Sequence, residues 1–124
     1  MTPNEYQELA LRTESHFPDE TDLVIDEDEL RLCQGLMGLN GEAGEAIDIF
    51  KKHLFQGHEL DLEHLARELG EVAWYLAISA DAIGFTLEEI FEINIEKLKA
   101  RYPDGFSAER SRHRDADMEA AGFE

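Results

Sequence analysis

Residues 41–45 read Gly-Glu-Ala-Gly-Glu, and residues 68–71 read Glu-Leu-Gly-Glu. Both stretches hold two glutamates three positions apart, with a glycine immediately before the second glutamate. Because residues three apart lie on one face of an α-helix, each stretch would present two neighbouring carboxylates. A glycine within a helix costs about 1 kcal/mol relative to alanine, so Gly44 and Gly70 at matching positions predict a close approach of two helices.

The chain on either side of these stretches has the pattern of two long helices. Apolar residues recur at helical spacing over 27–55 and again over 62–83. The connection between these segments is short, which predicts that the two helices pack antiparallel. Residues suited to capping a helix N-terminus precede four segments, namely Thr2, Asp26, Asp61 and Thr86. The predicted helices are 3–15, 27–55, 62–83 and 87–102.

The apolar residues of each long helix form one stripe. The stripe of the second helix is Leu32, Leu36, Leu39, Ala43, Ile47, Phe50 and Leu54, and that of the third is Leu62, Leu65, Leu69, Val72, Ala73, Leu76, Ala80 and Ile83. We expect these stripes to line the core of an all-α, four-helix-bundle-like fold, which a chain of this size would complete by dimerising. Gly35, Gly38 and Gly41 interrupt the second helix and predict a kink or a close helix contact there.

Length predicts one domain, with a separate tail. Residues 1–102 would form the all-α domain, and residues 103–124 a polar C-terminal tail. The tail holds a basic cluster of three arginines, namely Arg110, Arg112 and Arg114. We expect it to fold over the functional site or over a partner subunit, two alternatives between which the residues do not choose.

Charge and cysteine content limit the partners and the compartment. The 124 residues include 11 basic and 29 acidic side chains, giving a net charge of −18. Such a surface repels nucleic acid polymers, whose binding depends on cationic side chains. The single cysteine, Cys33, excludes an intramolecular disulfide framework, and its helical spacing with apolar residues predicts a buried thiol. With no signal peptide and no apolar run long enough for a membrane, we expect a cytoplasmic protein.

Four glutamates stand out from this acidic background. Glu42 and Glu68 lie at the same angular offset from the apolar stripe of their own helix, and Glu45 and Glu71 lie equally further round. Four converging carboxylates would repel one another unless a cation lay between them. Ligation by oxygen alone suits Mg²⁺ or Mn²⁺. The alternative is a solvated acidic surface balanced by nearby cations, namely Lys51, Lys52 and Arg67.

The two glutamate pairs, with the segments around them, resemble the ExxE…ExxD motif of the MazG-like all-α nucleotide pyrophosphohydrolases. The resemblance extends to Lys-Lys-His-Leu-Phe-Gln-Gly at 51–57 and to the segment 94–106, and it covers most of residues 5–114. It is closest to the short single-domain members of bacteria and phages. The fourth acid of the motif is usually aspartate, whereas this chain has Glu71, whose side chain is one methylene longer.

The resemblance implies an enzyme that hydrolyses nucleoside triphosphates to monophosphate and pyrophosphate and so sanitises or regulates the nucleotide pool. It implies that Glu42, Glu45, Glu68 and Glu71 bind Mg²⁺, with Mn²⁺ as a substitute. Glu42 and Glu45 are the catalytic candidates, and the general base among the glutamates stays unassigned. A homodimer, or a tetramer built from dimers, is also implied. The alternatives are a dCTP- or dUTP-specific member of the superfamily and a non-catalytic helical oligomer that binds metal or nucleotide.

Further residues are candidates for binding the nucleotide. Asn94, Lys97 and Arg101 share one face of the fourth predicted helix, where the two cations could clamp phosphate oxygens. The alternative for this face is plain exposure to solvent. Lys52 is a weaker phosphate candidate, and Tyr75 resembles the aromatic position that approaches the nucleoside in relatives.

Overall fold

The structure is a computed structural model, and it describes residues 1–15, 26–113 and 122. Its helices are α1 (Pro3–Leu11), α2 (Glu27–Gln56), α3 (Leu62–Ala82), α4 (Leu87–Arg101) and α5 (Ala108–Arg112). In the described ranges the only β pairing is an isolated bridge, so the predicted all-α fold class is confirmed. The helices fall into two compact units, Met1–Leu87 and Glu88–Glu124. Among the helices described, none has both the length and the hydropathy that crossing a bilayer requires.

The predicted caps account for the helix ends. Thr2 and Glu5 form a reciprocal capping box at the start of α1. The carboxylates of Asp26 and Asp61 accept backbone N–H groups in the first turns of α2 and α3. Gly57 ends α2 in the left-handed region, with φ of 70°, a conformation that only glycine adopts without cost. Helices α2 and α3 therefore begin and end close to the predicted positions.

Helix α1 ends at Leu11, four residues before its predicted end. The side chains beyond that point make tertiary contacts instead of continuing the helix. The Thr13 hydroxyl accepts a 2.8 Å hydrogen bond from Trp74 Nε1, and Glu14 forms a 2.7 Å ion pair with Arg31. These contacts join residues far apart in sequence, so the local pattern that predicts helix here could not anticipate them.

Arg31 fastens three segments of the first unit together. Its Nε and Nη2 atoms reach Glu14 at 2.7 Å and Asp81 at 2.6 Å, and its Nη1 reaches Asp28 at 3.1 Å. These carboxylates hold the pKa of the guanidinium above its ordinary value, chiefly through the hydrogen bonds to Glu14. The Arg31 to Asp81 pair joins the start of α2 to the end of α3, as the predicted antiparallel arrangement requires.

Gln7 fixes α1 against the turn between α3 and α4. Its side chain is 5% exposed, and its amide nitrogen donates to the carbonyls of Ala77 and Phe85 at 3.2 and 3.0 Å. Its amide oxygen accepts from the backbone N–H of Leu87 at 3.1 Å. All three contacts are buried or part-buried, so the polar groups of this buried side chain are paired with backbone groups.

Helices α2 and α3 approach each other most closely at two glycines of α2. A side chain at Gly35 would collide with Ser79, and one at Gly38 with the ring of Tyr75. The close contact predicted for the interrupted part of α2 is therefore confirmed, and α2 continues through it as one helix. The prediction for Gly44 and Gly70 is wrong, because a Cβ at either position meets nothing within 4 Å. At about 100° per residue, Gly44 and Gly70 lie far round their helices from Gly38 and Tyr75, so neither glycine faces the contact between α2 and α3.

Seven of the fifteen predicted core-stripe residues of α2 and α3 are exposed within the chain, and the others, except the buried Ala80, are half-buried. Ile47 is 69% exposed and Leu62 is 68% exposed, and other stripe members share this exposure, namely Leu36, Phe50, Leu54, Leu69 and Ile83. The two helices meet instead through the flank that bears Gly38 and Tyr75, about 100° round each helix from the stripe. Cys33 is exposed as well, so the prediction of a buried thiol is wrong.

Candidate metal centre

Three of the four predicted acids lie together between α2 and α3. One carboxylate oxygen from each of Glu42, Glu45 and Glu68 lies within 4.8 Å of the other two. Spacing of three residues places the first two on one face of α2, and the antiparallel packing brings α3 opposite them. Mg²⁺ binds oxygens at about 2.0–2.1 Å, so oxygens on opposite sides of the ion lie roughly 4.2 Å apart. Small side-chain adjustments would therefore suffice to enclose a divalent cation.

Glu68 provides the best evidence that this cluster fits a cation. Its side chain is only 13% exposed, and its Oε1 lies 3.3 Å from Nε2 of His64. Its other oxygen, Oε2, is buried and has no hydrogen-bond partner within the described part of the chain when the clustered glutamates are ionised; the Glu42 carboxyl can donate to Glu68 only in its protonated form. Leaving a buried charged oxygen unsatisfied costs free energy, and a bound cation would remove that cost. The residues present thus fit an oxygen-ligated divalent metal.

Glu42 shows the electrostatic consequence of the cluster. A hydrogen bond to Glu68 raises the pKa of the Glu42 carboxyl above its ordinary value of 4.5, and desolvation and the charges of Glu45, Glu68 and Glu71 raise it further. Two ionised carboxylates this close repel each other, which favours the protonated form of Glu42 when no cation is bound. A divalent cation would displace that proton.

Glu71 lies outside the group formed by the other three acids. Its side chain is exposed, and its charge adds to the raised pKa of Glu42 without its oxygens joining the cluster. On the other side it faces α1, where desolvation, followed by the charge of Glu71, raises the pKa of the Tyr6 hydroxyl. That hydroxyl donates to the carbonyl of Gly70 at 3.5 Å. A metal-binding role for Glu71 stays a prediction.

Two predicted nucleotide-binding residues of the first unit have protein contacts of their own. Lys52 Nζ lies 2.8 Å from Asp48, and hydrogen bonds from Lys52, then from Lys51, hold the pKa of that aspartate below its ordinary value. The Tyr75 ring packs over Gly38 and makes an edge contact with Trp74 at 5.0 Å between ring centroids. Tyr75 thus shapes the interface of α2 and α3, and its contact with a nucleoside stays a prediction.

The other nucleotide-binding candidates lie on α4, in the second unit. Asn94 is exposed, whereas Lys97 and Arg101 are half-buried. Arg101 Nε is buried and without a hydrogen-bond partner in the described ranges, and its guanidinium carbon lies 5.8 Å from the centroid of the Tyr102 ring. The roles of these three residues stay predictions.

The predicted tail contains a short helix that the sequence pattern did not indicate. The five-residue helix α5 is capped by Ser107, whose hydroxyl accepts the backbone N–H of Arg110. Arg112 ends this helix and is exposed. Arg114, the third member of the predicted basic cluster, lies outside the described residues. The division of the chain at residue 102 and the role of the tail stay predictions.

Comparison with known proteins agrees with this geometry. The family model described as MazG nucleotide pyrophosphohydrolase domain matches residues 33–106, which include both glutamate pairs. The "Gene 37 protein" of Mycobacterium phage L5 is 36% identical over 73 residues, a match that covers 56% of this chain and 64% of the phage protein. No solved structure matches the chain. The family match spans more than half of the chain, and this protein therefore belongs to the MazG nucleotide pyrophosphohydrolase family.

Proposed function

We propose that this protein hydrolyses nucleoside triphosphates to the monophosphate and pyrophosphate in a reaction that depends on Mg²⁺, for which Mn²⁺ can substitute. Glu42, Glu45 and Glu68 would hold the metal, with Glu71 as a fourth ligand. The observation that carries the proposal is the group of three carboxylates, in which Glu68 also has a buried oxygen, Oε2, with no hydrogen-bond partner in the described part of the chain. Membership of a nucleotide pyrophosphohydrolase family supports the substrate class.

The chemistry of the proposed reaction defines the role that each candidate residue would have. Hydrolysis between the α and β phosphates consumes one water, whose proton must pass to a base as the new P–O bond forms. Glu42 and Glu45 are the candidates for that base. The bound metal would supply neutralisation of the triphosphate charge and polarisation of the attacked phosphorus. Lys97 and Arg101 would hold phosphate oxygens, Asn94 would bind sugar or phosphate, and Lys52 and Tyr75 would complete the contacts to the nucleotide.

We further propose that the protein is a homo-oligomer assembled through the apolar stripes of α2 and α3. On each helix the stripe lies about 100° from the contact between the two helices, and because the helices run antiparallel both stripes point to the same side of the hairpin. Two such faces would form a four-helix core when one copy packs on another. The exposure of Ile47, Leu54, Leu62 and Leu69 supports this arrangement.

The proposed activity is tested by measuring pyrophosphate release from a panel of ribo- and deoxynucleoside triphosphates, with Mg²⁺, with Mn²⁺ and with EDTA. We expect turnover with either metal and none with EDTA. Glu42→Gln and Glu68→Gln should each lower the rate at least about 100-fold, as expected when a group that binds charge in the transition state is removed. Glu59→Gln is the matched control, because Glu59 is an exposed glutamate in the loop that joins the same two helices.

The panel also separates the alternatives. Turnover confined to dCTP or dUTP would assign the narrower specificity within the same family. If the folded protein turned over no nucleotide with either metal, the hydrolase proposal would be wrong and a non-catalytic binding role would remain. Unchanged rates in Glu42→Gln and Glu68→Gln would show that the chemistry takes place elsewhere. If the proposed hydrolysis takes place, its role would be to sanitise or regulate the nucleotide pool of the cytoplasm.

A further inference from the structure

His64 lies in the first turn of α3, one helical turn before Glu68. Its backbone N–H donates to the capping carboxylate of Asp61 at 3.0 Å, which fixes the start of the helix. Its ring Nε2 lies 3.3 Å from Oε1 of Glu68. Spacing of four residues stacks the two side chains on one helix face. His64 therefore contacts one of the three clustered carboxylates.

The two oxygens of Glu68 have different surroundings. Oε1 faces the imidazole of His64, whereas Oε2 is buried and has no partner within the described part of the chain. The last torsion of a glutamate side chain is broad, so a carboxylate without an anchor samples many orientations. A hydrogen-bond donor next to one carboxylate oxygen restricts that rotation, and it therefore fixes the direction in which the second oxygen points.

A second ion pair on α3 shows what an ordinary surface contact looks like. Arg67 and Glu63 are also four residues apart, at 2.9 Å, but the Glu63 side chain is 84% exposed, and such pairs contribute little to stability. The Glu68 side chain, at 13% exposed, lies within the cluster that it shares with Glu42 and Glu45. The contact of His64 therefore acts on a carboxylate of the proposed site and not on a solvated one.

We infer that His64 is a positioning residue for the metal centre: its ring nitrogen Nε2, 3.3 Å from Oε1 of Glu68, holds that oxygen and keeps the carboxylate turned toward Glu42 and Glu45. The inference rests on the metal-binding role proposed for those glutamates. His64 itself lies outside the three-carboxylate group, so it orients a ligand. Groups that hydrogen-bond to metal ligands contribute about 10- to 100-fold to metal affinity or activity.

The test compares His64→Leu, which removes the donor, with His64→Gln, whose amide nitrogen can occupy nearly the same position as Nε2. Affinity for Mn²⁺ is measured by electron paramagnetic resonance of the free ion at one fixed pH, and melting temperature without metal reports folding. We expect His64→Leu to bind Mn²⁺ at least about 10-fold more weakly than the wild type, and His64→Gln to stay close to the wild type. Arg67→Ala is the matched control, since it breaks the exposed pair on the same helix.

The outcomes separate this inference from the proposed function. If the wild type itself bound no metal and hydrolysed no nucleotide, the proposed function would fail. If the wild type bound Mn²⁺ and His64→Leu bound it equally well, only the positioning role would be wrong. Equal weakening in His64→Gln and His64→Leu would also overturn it, because a retained donor should rescue the affinity. Raising the Mg²⁺ concentration should restore the hydrolysis rate of His64→Leu toward the wild-type value.

Discussion

Glu42 illustrates how a carboxylate in an acidic cluster can lower the stability of the fold. Its pKa is raised above 4.5 by the hydrogen bond to Glu68, by desolvation and by neighbouring negative charges. The folded state therefore binds this proton more tightly than the unfolded chain does. The stability that the protonated Glu42 carboxyl contributes is fully present below its ordinary pKa of 4.5. This contribution is lost as the pH rises through the raised pKa of the folded state. At neutral pH and without metal, the ionised cluster opposes folding.

The raised pKa of Glu42 predicts how the Glu42→Gln substitution changes thermal stability. The neutral amide removes one charge from the cluster, so the metal-free variant should melt at a higher temperature than the wild type at neutral pH. The difference should shrink toward zero as the pH falls to the ordinary value of 4.5. Thermal unfolding in EDTA from about pH 4 to about pH 8 measures it. Glu59→Gln serves as the control, and a Glu42→Gln variant less stable than wild type at neutral pH would contradict the argument.

At the scale of the elements, the pairing of α2 with α3 depends on the small residues at their contact. Gly38 lets the Tyr75 ring pack against the backbone of α2, and Gly35 does the same for Ser79. The helix backbones therefore come close at this level. One turn further along α2, Glu42 begins the acidic cluster that it forms with Glu45 and with Glu68 of α3. The contact at the glycines thus positions the carboxylates without pressing them together.

Gly38→Ala tests this account of the helix contact. The added methyl collides with the Tyr75 ring, and overpacking of this kind costs about 1–3 kcal/mol. Urea unfolding should therefore show a lower free energy of unfolding. Gly41→Ala is the matched control on the same helix, because its Cβ meets nothing within 4 Å and alanine favours helix by up to about 1 kcal/mol. Equal effects of the two substitutions would rule out the close contact as their cause.

At the scale of the whole molecule, the chain leaves a large apolar surface exposed. The buried apolar residues among those described are few and mostly small, namely Ala10, Ala77, Ile78, Ala80 and Leu87. The larger side chains of the α2 and α3 stripes face outward on one side of the hairpin. Contiguous apolar patches of this kind mark interaction surfaces in proteins. A second copy of the chain offers the same face, which is why we propose self-association there.

Ile47→Glu should weaken that self-association. Ile47 lies on the stripe and is 69% exposed, whereas Met37 is similarly exposed at 71% but lies about 100° away around α2. Size-exclusion chromatography with light scattering should give an oligomer for the wild type and for Met37→Glu. We expect the monomer mass for Ile47→Glu, because a charge buried without a partner at an interface is strongly unfavourable. A monomeric wild type at micromolar concentration would contradict the proposed assembly.

Local sequence determined the helices and the spacing of the acids. Caps such as Thr2 and Asp61, and the apolar periodicity of α2 and α3, act within a few residues of themselves. They could therefore be predicted without knowledge of the fold. The same holds for the pairs Glu42 with Glu45 and Glu68 with Glu71, since helical geometry alone places their members on one face. These pairs were also the part of the motif that led to the family.

The tertiary structure decided which faces meet and which groups lie next to each other. Apolar periodicity indicates which residues of a helix form a stripe, but it does not indicate which surface covers that stripe. Ile47 is exposed because α2 and α3 pack through the adjacent flank of each helix. Glu71 lies outside the group formed by the other three acids, and its charge acts on Tyr6 of α1, a neighbour that helical spacing alone could not indicate. His64 and Glu68 are only four residues apart, so their contact could be predicted from the sequence. The burial of the Glu68 side chain, which depends on both helices, could not.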